Sequence, residues 1–171
     1  MPAEIIIREA RGDEIALVKR LSVDELPDEL NELERPQAEG AKKAFVKTME
    51  ALLRKEGSEV YVALVGGGPK IAGYVWFGVS DRPFSQMKVG WIYDIQVVPA
   101  ERGKGVGEAL LKHALDVSRR KGFRLAGLMV RANNRVAYSL YEKLGFYPEY
   151  VVMSRNEQGP VSGSVSSMGG G

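Results

Sequence analysis

The sequence predicts an α/β fold in which a mixed, mostly antiparallel central sheet is flanked by helices and contains one βαβ crossover. The length of 171 residues suits one domain with a substantial core. Segments with strand and helix periodicity follow one another along the chain, and one amphipathic helix lies between two strand-like runs in its second half. We expect the domain to occupy residues 1–155 and a flexible tail rich in Gly and Ser to occupy 156–171.

The first three elements are predicted from capping residues and periodicity. Residues 4–9 have the pattern of a strand, and Asp13 is expected to cap a helix that continues to Leu21. The acidic stretch 24–34 connects this helix to a second one over 37–55, because apolar residues recur there on one helical face.

The central elements are predicted to be strands. The runs 60–65 and 71–79 are joined by a glycine-rich turn over 66–70, which is typical of a hairpin. The next strand ends at Val98, because Pro99 has no N–H group to donate to a neighbouring strand.

The crossover and the elements after it complete the predicted domain. A helix over 105–121 has one apolar face, and a strand is expected over 124–131. Asn134 is expected to cap a short helix, and a last strand is expected over 149–154.

The composition excludes several classes of site. The chain has no cysteine and one histidine, which excludes disulfides, a thiol nucleophile and a site of several histidines, so we expect no metal. No apolar run is long enough to cross a membrane, and the first residues do not resemble a secretion signal. We therefore expect a cytoplasmic protein without a membrane partner.

The formal charge of +2 is distributed unevenly along the chain. Residues 1–60 carry ten Lys or Arg and fourteen Asp or Glu, a net charge of −4, whereas residues 61–171 carry fourteen and eight, a net charge of +6. The basic second half favours an anionic ligand. Nucleic acid is not the expected partner, because the basic residues are scattered and are not interleaved with aromatic residues.

A glycine-rich segment before the crossover helix has the composition of a phosphate-binding site. Glycine lets main-chain N–H groups approach a phosphate and adopts positive φ at little cost. The N-terminus of the helix is the positive end of its dipole, and two cationic side chains add charge. These features favour a pyrophosphate site, and the alternative is a glycine-rich turn that leads into an ordinary helix. The segment consists of Arg102, Gly103, Lys104, Gly105, Val106 and Gly107.

A second motif, Asn-Asn-Arg-Val-Ala-Tyr-Ser-Leu-Tyr-Glu-Lys-Leu-Gly-Phe, occupies 133–146. The two motifs together resemble the GNAT superfamily of acetyl-CoA-dependent N-acyltransferases. The pattern of that superfamily is Arg/Gln-x-x-Gly-x-Gly/Ala, then a strand, then Asn-x-x-Ala-x-x-Leu-Tyr-Glu-Lys-x-Gly-Phe. The resemblance covers about 60–153. It implies that acetyl-CoA is the co-substrate and that a primary amine is the acceptor.

The resemblance also implies how acetyl-CoA binds, in a cleft formed where the two crossover strands separate. The pantetheine arm would pair with exposed main chain of the strand that precedes the glycine-rich segment, and Asn134 would help to hold the arm. The diphosphate would lie on the glycine-rich segment. The implied cofactor-binding residues are Ile95, Gln96, Val97, Arg102, Gly103, Lys104, Gly105, Val106, Gly107, Glu108, Asn134 and Tyr141.

For catalysis, the resemblance implies that Tyr141 is the general acid for the departing thiolate. Tyrosine has a pKa near 10, so its hydroxyl keeps a proton at neutral pH and can donate it. The resemblance further implies a direct transfer in which a backbone amide near Val97 stabilises the oxyanion. A tyrosine that only packs in the core is the alternative for Tyr141.

An acceptor amine is protonated near pH 7 and needs a base. In the ribosomal-protein branch of the superfamily, a glutamate five residues before the motif asparagine serves as that base. This chain has Met129 at the corresponding position. Asp94 is our candidate in its place, acting directly or through water. The alternative for Asp94 is a solvated carboxylate at the end of a strand.

Several questions stay open at this point. The acceptor could be a protein N-terminus, a lysine side chain, a polyamine or an antibiotic-like amine, and the chain could form a homodimer. The acidic stretch 24–34 could attract a cationic acceptor or could be an ordinary solvated surface. We expect His113 to be structural. A non-catalytic sensor that binds acyl-CoA is the rival function.

Overall fold

The computed structural model describes residues 4–157, which form one five-stranded sheet in the order β1-β2-β3-β4-β5. The first four strands pair antiparallel, and β5 pairs parallel with β4. This arrangement confirms the predicted mixed sheet with one crossover. The strands are β1 (Ile5–Glu9), β2 (Glu59–Val65), β3 (Ile71–Asp81), β4 (Lys88–Val97) and β5 (Ala126–Leu128).

Helices cover both faces of the sheet. They are α1 (Gly12–Glu29), α2 (Ala38–Leu53), α3 (Val106–Arg120) and α4 (Arg135–Lys143). On one face, α1 and α2 pack through Val18 and Met49 over β2 and β3. On the other face, α3 and α4 pack through Leu110 and Tyr141 over a separate apolar core. Among the described residues no helix combines the length and apolar character needed to span a bilayer.

Helix α1 differs from its predicted form at both ends. Its N-terminus is stabilised by Glu14, whose carboxylate accepts the backbone N–H of Arg11 at 2.8 Å, and the prediction that Asp13 is the cap is wrong. The helix continues eight residues beyond Leu21 and includes Pro27. A proline this close to the end removes only one hydrogen bond of the helix, so the acidic residues after Leu21 remain helical.

The strand predicted over 149–154 is wrong, because these residues have no regular structure and the side chains of Val151, Val152 and Met153 are exposed. A strand needs a partner, and β5 has three residues where eight were predicted. Instead, Arg82 holds the start of the segment through two hydrogen bonds to Glu149, at 2.8 and 3.1 Å. Most of the tail predicted over 156–171 lies outside the described residues.

Strand β4 changes its pairing at Tyr93. On the β3 side, Ile92 faces Phe77 and Asp94 faces Trp76, so Tyr93 is an extra residue that forms a bulge. On the other side, β4 pairs with β5 only from Gly90 to Ile92. Within residues 4–157, the rest of this edge has no partner strand, and the two parallel strands separate there.

Candidate active site

The loop between β4 and α3 presents unpaired main-chain N–H groups. Gly103 and Gly105 adopt left-handed φ angles of 76° and 84°, a conformation that favours glycine. Gly105 is the N-cap residue of α3, and no side chain caps the helix. The first N–H groups of α3, those of Val106, Gly107 and Glu108, have no carbonyl available within the helix. Such a helix start is suited to an anion.

The two cationic side chains of this loop contact nearby acids. The Arg102 side chain donates from Nε to the carbonyl oxygen of Val97 at 3.1 Å and forms an ion pair with Glu25 of α1 at 3.0 Å. Lys104 forms an ion pair with Glu101 at 3.0 Å. Both side chains are more than half exposed, so they can turn toward a bound anion.

Glu108 in the first turn of α3 is neutralised by two lysines. Its carboxylate pairs with Lys112 at 2.8 Å and with Lys143 of α4 at 2.6 Å. These hydrogen bonds lower the pKa of Glu108 to about 2. The predicted anion site therefore carries no uncompensated negative charge from this residue.

Gly107 and Val106 serve the packing of α3. Val106 is 1% exposed and belongs to the core. A Cβ atom on Gly107 would lie 3.4 Å from Val97 and 3.5 Å from Leu140, which is ordinary van der Waals contact. A methyl side chain would therefore fit at 107, whereas Gly103 and Gly105 are favoured by their φ angles.

The end of β4 presents a free main-chain edge beside this loop. Ile95 and Val97 pack toward α3, and Gln96 points to the opposite face, where its amide donates to the carbonyl of Leu21 at 3.4 Å. The predicted pairing with a pantetheine arm requires open N–H and C=O groups at these residues. The separation of β4 from β5 leaves this edge without a partner strand within residues 4–157, and at Val97 the carbonyl oxygen accepts from Arg102.

Helix α4 begins as predicted. The Asn134 side chain is its N-cap and accepts the N–H of Ala137 at 3.2 Å through its amide oxygen. The side-chain nitrogen remains as a donor, so capping and the implied role in holding the cofactor arm are compatible.

Tyr141 lies on α4 and is 9% exposed, packed against Phe146 with ring centroids 5.9 Å apart. Burial, together with the negative charges of Asp94 and Glu29, raises its pKa to about 12. The hydroxyl therefore keeps its proton at neutral pH, and within residues 4–157 it has no hydrogen-bond partner. A protonated hydroxyl without a partner is able to donate its proton to a bound molecule.

Asp94 faces the opposite side of the sheet from Tyr141. It lies beside Trp76 in register, and its Oδ2 accepts from Ser22 Oγ at 2.5 Å and from the Tyr74 hydroxyl at 2.6 Å. The charge of Asp94 contributes to the raised pKa of Tyr141, although the two side chains lie on different faces of the sheet.

Two residues near Asp94 were not identified from the sequence, Ser22 and Tyr74, whereas Glu29 belongs to the acidic stretch 24–34. A signal existed for Ser22, because it is one helical turn after the buried Val18 on the apolar face of α1. Partial burial raises the pKa of Glu29, against the opposing charge of Arg131, whose side chain donates to the Glu29 carbonyl. The end of α1 thus reaches across the gap between β4 and β5 to the chain that follows β5.

His113, Met129 and Trp76 have different environments. His113 packs against Tyr61 with ring centroids 4.5 Å apart, at the inner side of α3. Met129, at the position of the glutamate in the ribosomal-protein branch, is 81% exposed. Trp76 is 2% exposed and donates to Ser58 Oγ at 2.8 Å in the core under α1 and α2.

The family follows from the match of residues 24–146 to the model of the acetyltransferase (GNAT) family. The chain belongs to this family. Among relatives, mycothiol acetyltransferase of Renibacterium salmoninarum is 36% identical over 77 residues, which are 45% of this chain and 23% of that protein. Streptothricin acetyltransferase of Streptomyces lavendulae is 37% identical over 89 residues, 52% of this chain and 44% of that protein. The matched region thus spans less than half the length of these GNAT relatives.

Solved structures have the same GNAT fold. A Pyrococcus furiosus protein described as an acetyl transferase superimposes with a TM-score of 0.75 at 25% identity, covering 90% of this chain and 99% of that one. The aminoglycoside N-acetyltransferase AAC(6')-Iy in complex with CoA has a TM-score of 0.67 at 17% identity, covering 92% of this chain and 97% of that one. The chain therefore has the GNAT fold.

Proposed function

We propose that this protein transfers the acetyl group of acetyl-CoA directly to a primary amine in a ternary complex. One observation carries the proposal. Beyond Ile92 the edge of β4, the strand of Asp94, is not paired with β5, and this edge leads into the N-terminus of α3, which no side chain of the described residues caps. A thioester in the gap between β4 and β5 would have a proton donor on one side and a carboxylate on the other.

The residues that would hold acetyl-CoA fit its chemistry. The free N–H groups at the start of α3 and the side chains of Arg102 and Lys104 suit the diphosphate. The open edge of β4 over 95–97 suits the amide groups of the pantetheine arm, which can pair with it as an added strand. The bound co-substrate supplies the activated acetyl group.

In the proposed reaction, the amine nitrogen forms a bond to the carbonyl carbon of the acetyl group, and the carbon–sulfur bond breaks. Asp94 accepts the proton of the amine, directly or through water, and Tyr141 gives its proton to the departing sulfur. A backbone amide near Val97 stabilises the charge that develops on the carbonyl oxygen. The chain has no cysteine that could carry the acetyl group, which supports direct transfer.

The acceptor is proposed only as a class, a protein N-terminus, a lysine side chain or a small cationic amine. The names of relatives cover different acceptors, including streptothricin and the alanine of ribosomal protein bS18, the latter in a protein of Escherichia coli. The acidic end of α1 beside Asp94 supports a cationic acceptor.

A panel of amines with labelled acetyl-CoA tests the proposal. The panel contains peptides with a free N-terminus, N-terminally blocked lysine peptides, polyamines and aminoglycosides, each with its N-acetylated form as control. We expect CoA release and labelled amide with at least one class. If acetyl-CoA binds in calorimetry and no amine yields either product, the protein is a non-catalytic acyl-CoA sensor. If acetyl-CoA does not bind, both functions are wrong.

A further inference from the structure

Trp91 of β4 lies on the face of the sheet to which α1 and α2 belong. It is opposite Gly78 of β3 and Gly127 of β5 in register. A Cβ atom on Gly78 would lie 2.2 Å from the ring of Tyr93, a residue that packs against the core under α1 and α2. Because residues directly opposite each other on neighbouring strands share a face, Trp91 is on this face as well.

The Trp91 ring lies against the backbone of β5 and is not part of either apolar core. A Cβ atom on Gly127 would be 2.6 Å from Cζ3 and 2.9 Å from Cε3 of the ring, too close for bulkier residues. Glycine inside a strand often permits such a close approach. Trp91 is partly buried at this position, and it is not one of the residues that form or pack against the two cores. Its ring is therefore available for contact with a ligand.

The position of Trp91 is close to the proposed reaction site. Its pairing with Gly127 is followed by one more pair, Ile92 with Leu128, and then the gap between β4 and β5 begins. Asp94 is three residues after Trp91, which is roughly 10 Å along a strand. An acceptor whose amine lies at Asp94 can thus reach the Trp91 ring with the rest of its length.

The charge on this face of the gap favours a cationic acceptor. Ser22 of α1 contacts Asp94, and seven residues later the carbonyl of Glu29 accepts from Arg131, which follows β5. The end of α1 therefore crosses the gap on the face of Trp91. Residues 24–29 carry four acids, which outnumber Arg102 and Arg131, the arginines that contact this end of the helix. A negative surface beside an aromatic ring attracts cations.

We propose that Trp91 is a specificity-determining residue whose ring contacts a second cationic group of the acceptor while the reacting amine lies at Asp94. The inference rests on the proposed function, in which the amine approaches from the Asp94 face. It selects amines with two or more ammonium groups over monoamines. A cation over an exposed aromatic ring increases affinity about two- to fivefold.

Two probes that differ in one ammonium group test this inference, 1,7-diaminoheptane and heptylamine. Their binding to the protein saturated with CoA is measured by calorimetry, so no transfer is needed. We expect the diamine to bind about two- to fivefold more tightly than the monoamine, and Trp91→Leu to abolish this preference. Gly127→Ala should also reduce it, because the added Cβ displaces the ring and keeps the indole. Of the two tryptophans, Trp76 is 2% exposed, so a change in fluorescence with the diamine reports on Trp91.

Phe84→Leu is the matched control, because it removes an aromatic ring that is 95% exposed in the loop between β3 and β4, at the other end of β4. It should leave the preference unchanged. If Trp91 only stabilises the sheet, Trp91→Leu lowers Tm and the preference persists, which overturns the proposal. Equal binding of the two probes by the wild type overturns it as well. If Trp91→Leu does not fold, Gly127→Ala decides.

The result separates this inference from the proposed function. If the preference depends on Trp91 and no amine in the panel is acetylated, the cation site stands and the proposed function fails. If amines are acetylated and Trp91→Leu leaves the KM of diamines relative to monoamines unchanged, the role of Trp91 fails alone. With an active diamine, we expect Trp91→Leu to raise KM for the amine about two- to fivefold and to leave Kd for acetyl-CoA unchanged.

Discussion

The two faces of the sheet present different kinds of chemical group to the gap between β4 and β5. On the face covered by α3 and α4, the candidate site is mainly main chain, positioned by Gly103 and Gly105 and by the start of a helix. On the face covered by α1 and α2 it is a cluster of side chains, in which Ser22 and Asp94 are 72 residues apart in sequence. The main-chain part of the site depends on consecutive residues, and the side-chain cluster depends on tertiary packing.

Tyr141 is the exception to this division, because it is a side chain on the face covered by α3 and α4. Its replacement is expected to have the largest effect on acetyl transfer. Replacement with Phe keeps the packing against Phe146 and removes the proton donor. We expect kcat for acetyl transfer to fall about 100-fold, the range for a lost general acid, with Kd for acetyl-CoA unchanged in calorimetry.

Tyr138→Phe is the control for Tyr141→Phe, because it removes a hydroxyl from the same helix, α4, and should leave both quantities unchanged. Transfer that persists in Tyr141→Phe would show that another group, or water, protonates the sulfur.

The difference between the faces also explains what the sequence could predict. Capping by Asn134 and the hairpin turn at 66–70 depend on neighbouring residues, so the local sequence pattern was sufficient to predict both. The strand predicted over 149–154 depends on a distant partner, and the alternation of residues carries no information about whether that partner is long enough. The role of Ser22 likewise depends on β3 and β4 reaching α1, so only its position on an apolar helical face was visible.

Gly105 tests whether the main-chain part of the site acts through its N–H groups. We expect Gly105→Val to weaken acetyl-CoA binding at least tenfold in calorimetry, because a side chain at φ 84° shifts the loop and blocks access to the first N–H groups of α3. The strain of a left-handed residue also costs about 1–2 kcal/mol of stability.

Gly122→Val separates strain from binding. Gly122 has a φ angle of 82° at the other end of α3, and a Cβ atom there meets no neighbour, as at Gly105. We expect a similar fall in Tm and unchanged binding of acetyl-CoA. Equal binding by Gly105→Val and the wild type would remove the main basis for assigning the diphosphate to this loop.

His113 tests whether a partly buried histidine on the α3 side makes the stability of the fold depend on pH. Burial lowers the pKa of His113, and its buried Nε2 has no hydrogen-bond partner among residues 4–157. Because the folded form binds its proton at lower pH than the unfolded form, stability is present above the unfolded pKa near 6.5 and is lost as pH falls below it. We expect stability to fall as the pH is lowered from 7 to 5 and this contribution to be absent in His113→Leu.

Denaturant unfolding at several pH values measures this difference, and the comparison with His113→Leu cancels the contribution of the carboxylates. The pH dependence of kcat for acetyl transfer should be the same in both proteins, since His113 contacts Tyr61 and not the gap. A change in that pH profile would contradict a purely structural role.

The contact between the two faces at Arg102 gives the smallest expected effect. Arg102 is paired with Glu25 of α1 while it is also predicted to bind the diphosphate, so the two anions compete for one guanidinium. We expect Glu25→Gln to tighten acetyl-CoA binding about two- to threefold, since an exposed ion pair contributes about 0.2–1 kcal/mol. The gain in affinity should diminish at high salt, where such pairs are screened.

Asp81→Asn is the control, because it breaks the exposed pair with Lys88 far along the sheet, and it should have no effect on acetyl-CoA binding. Weaker binding in Glu25→Gln would mean that Glu25 orients Arg102 for the co-substrate instead of competing for it, so that the acceptor side helps to build the cofactor side.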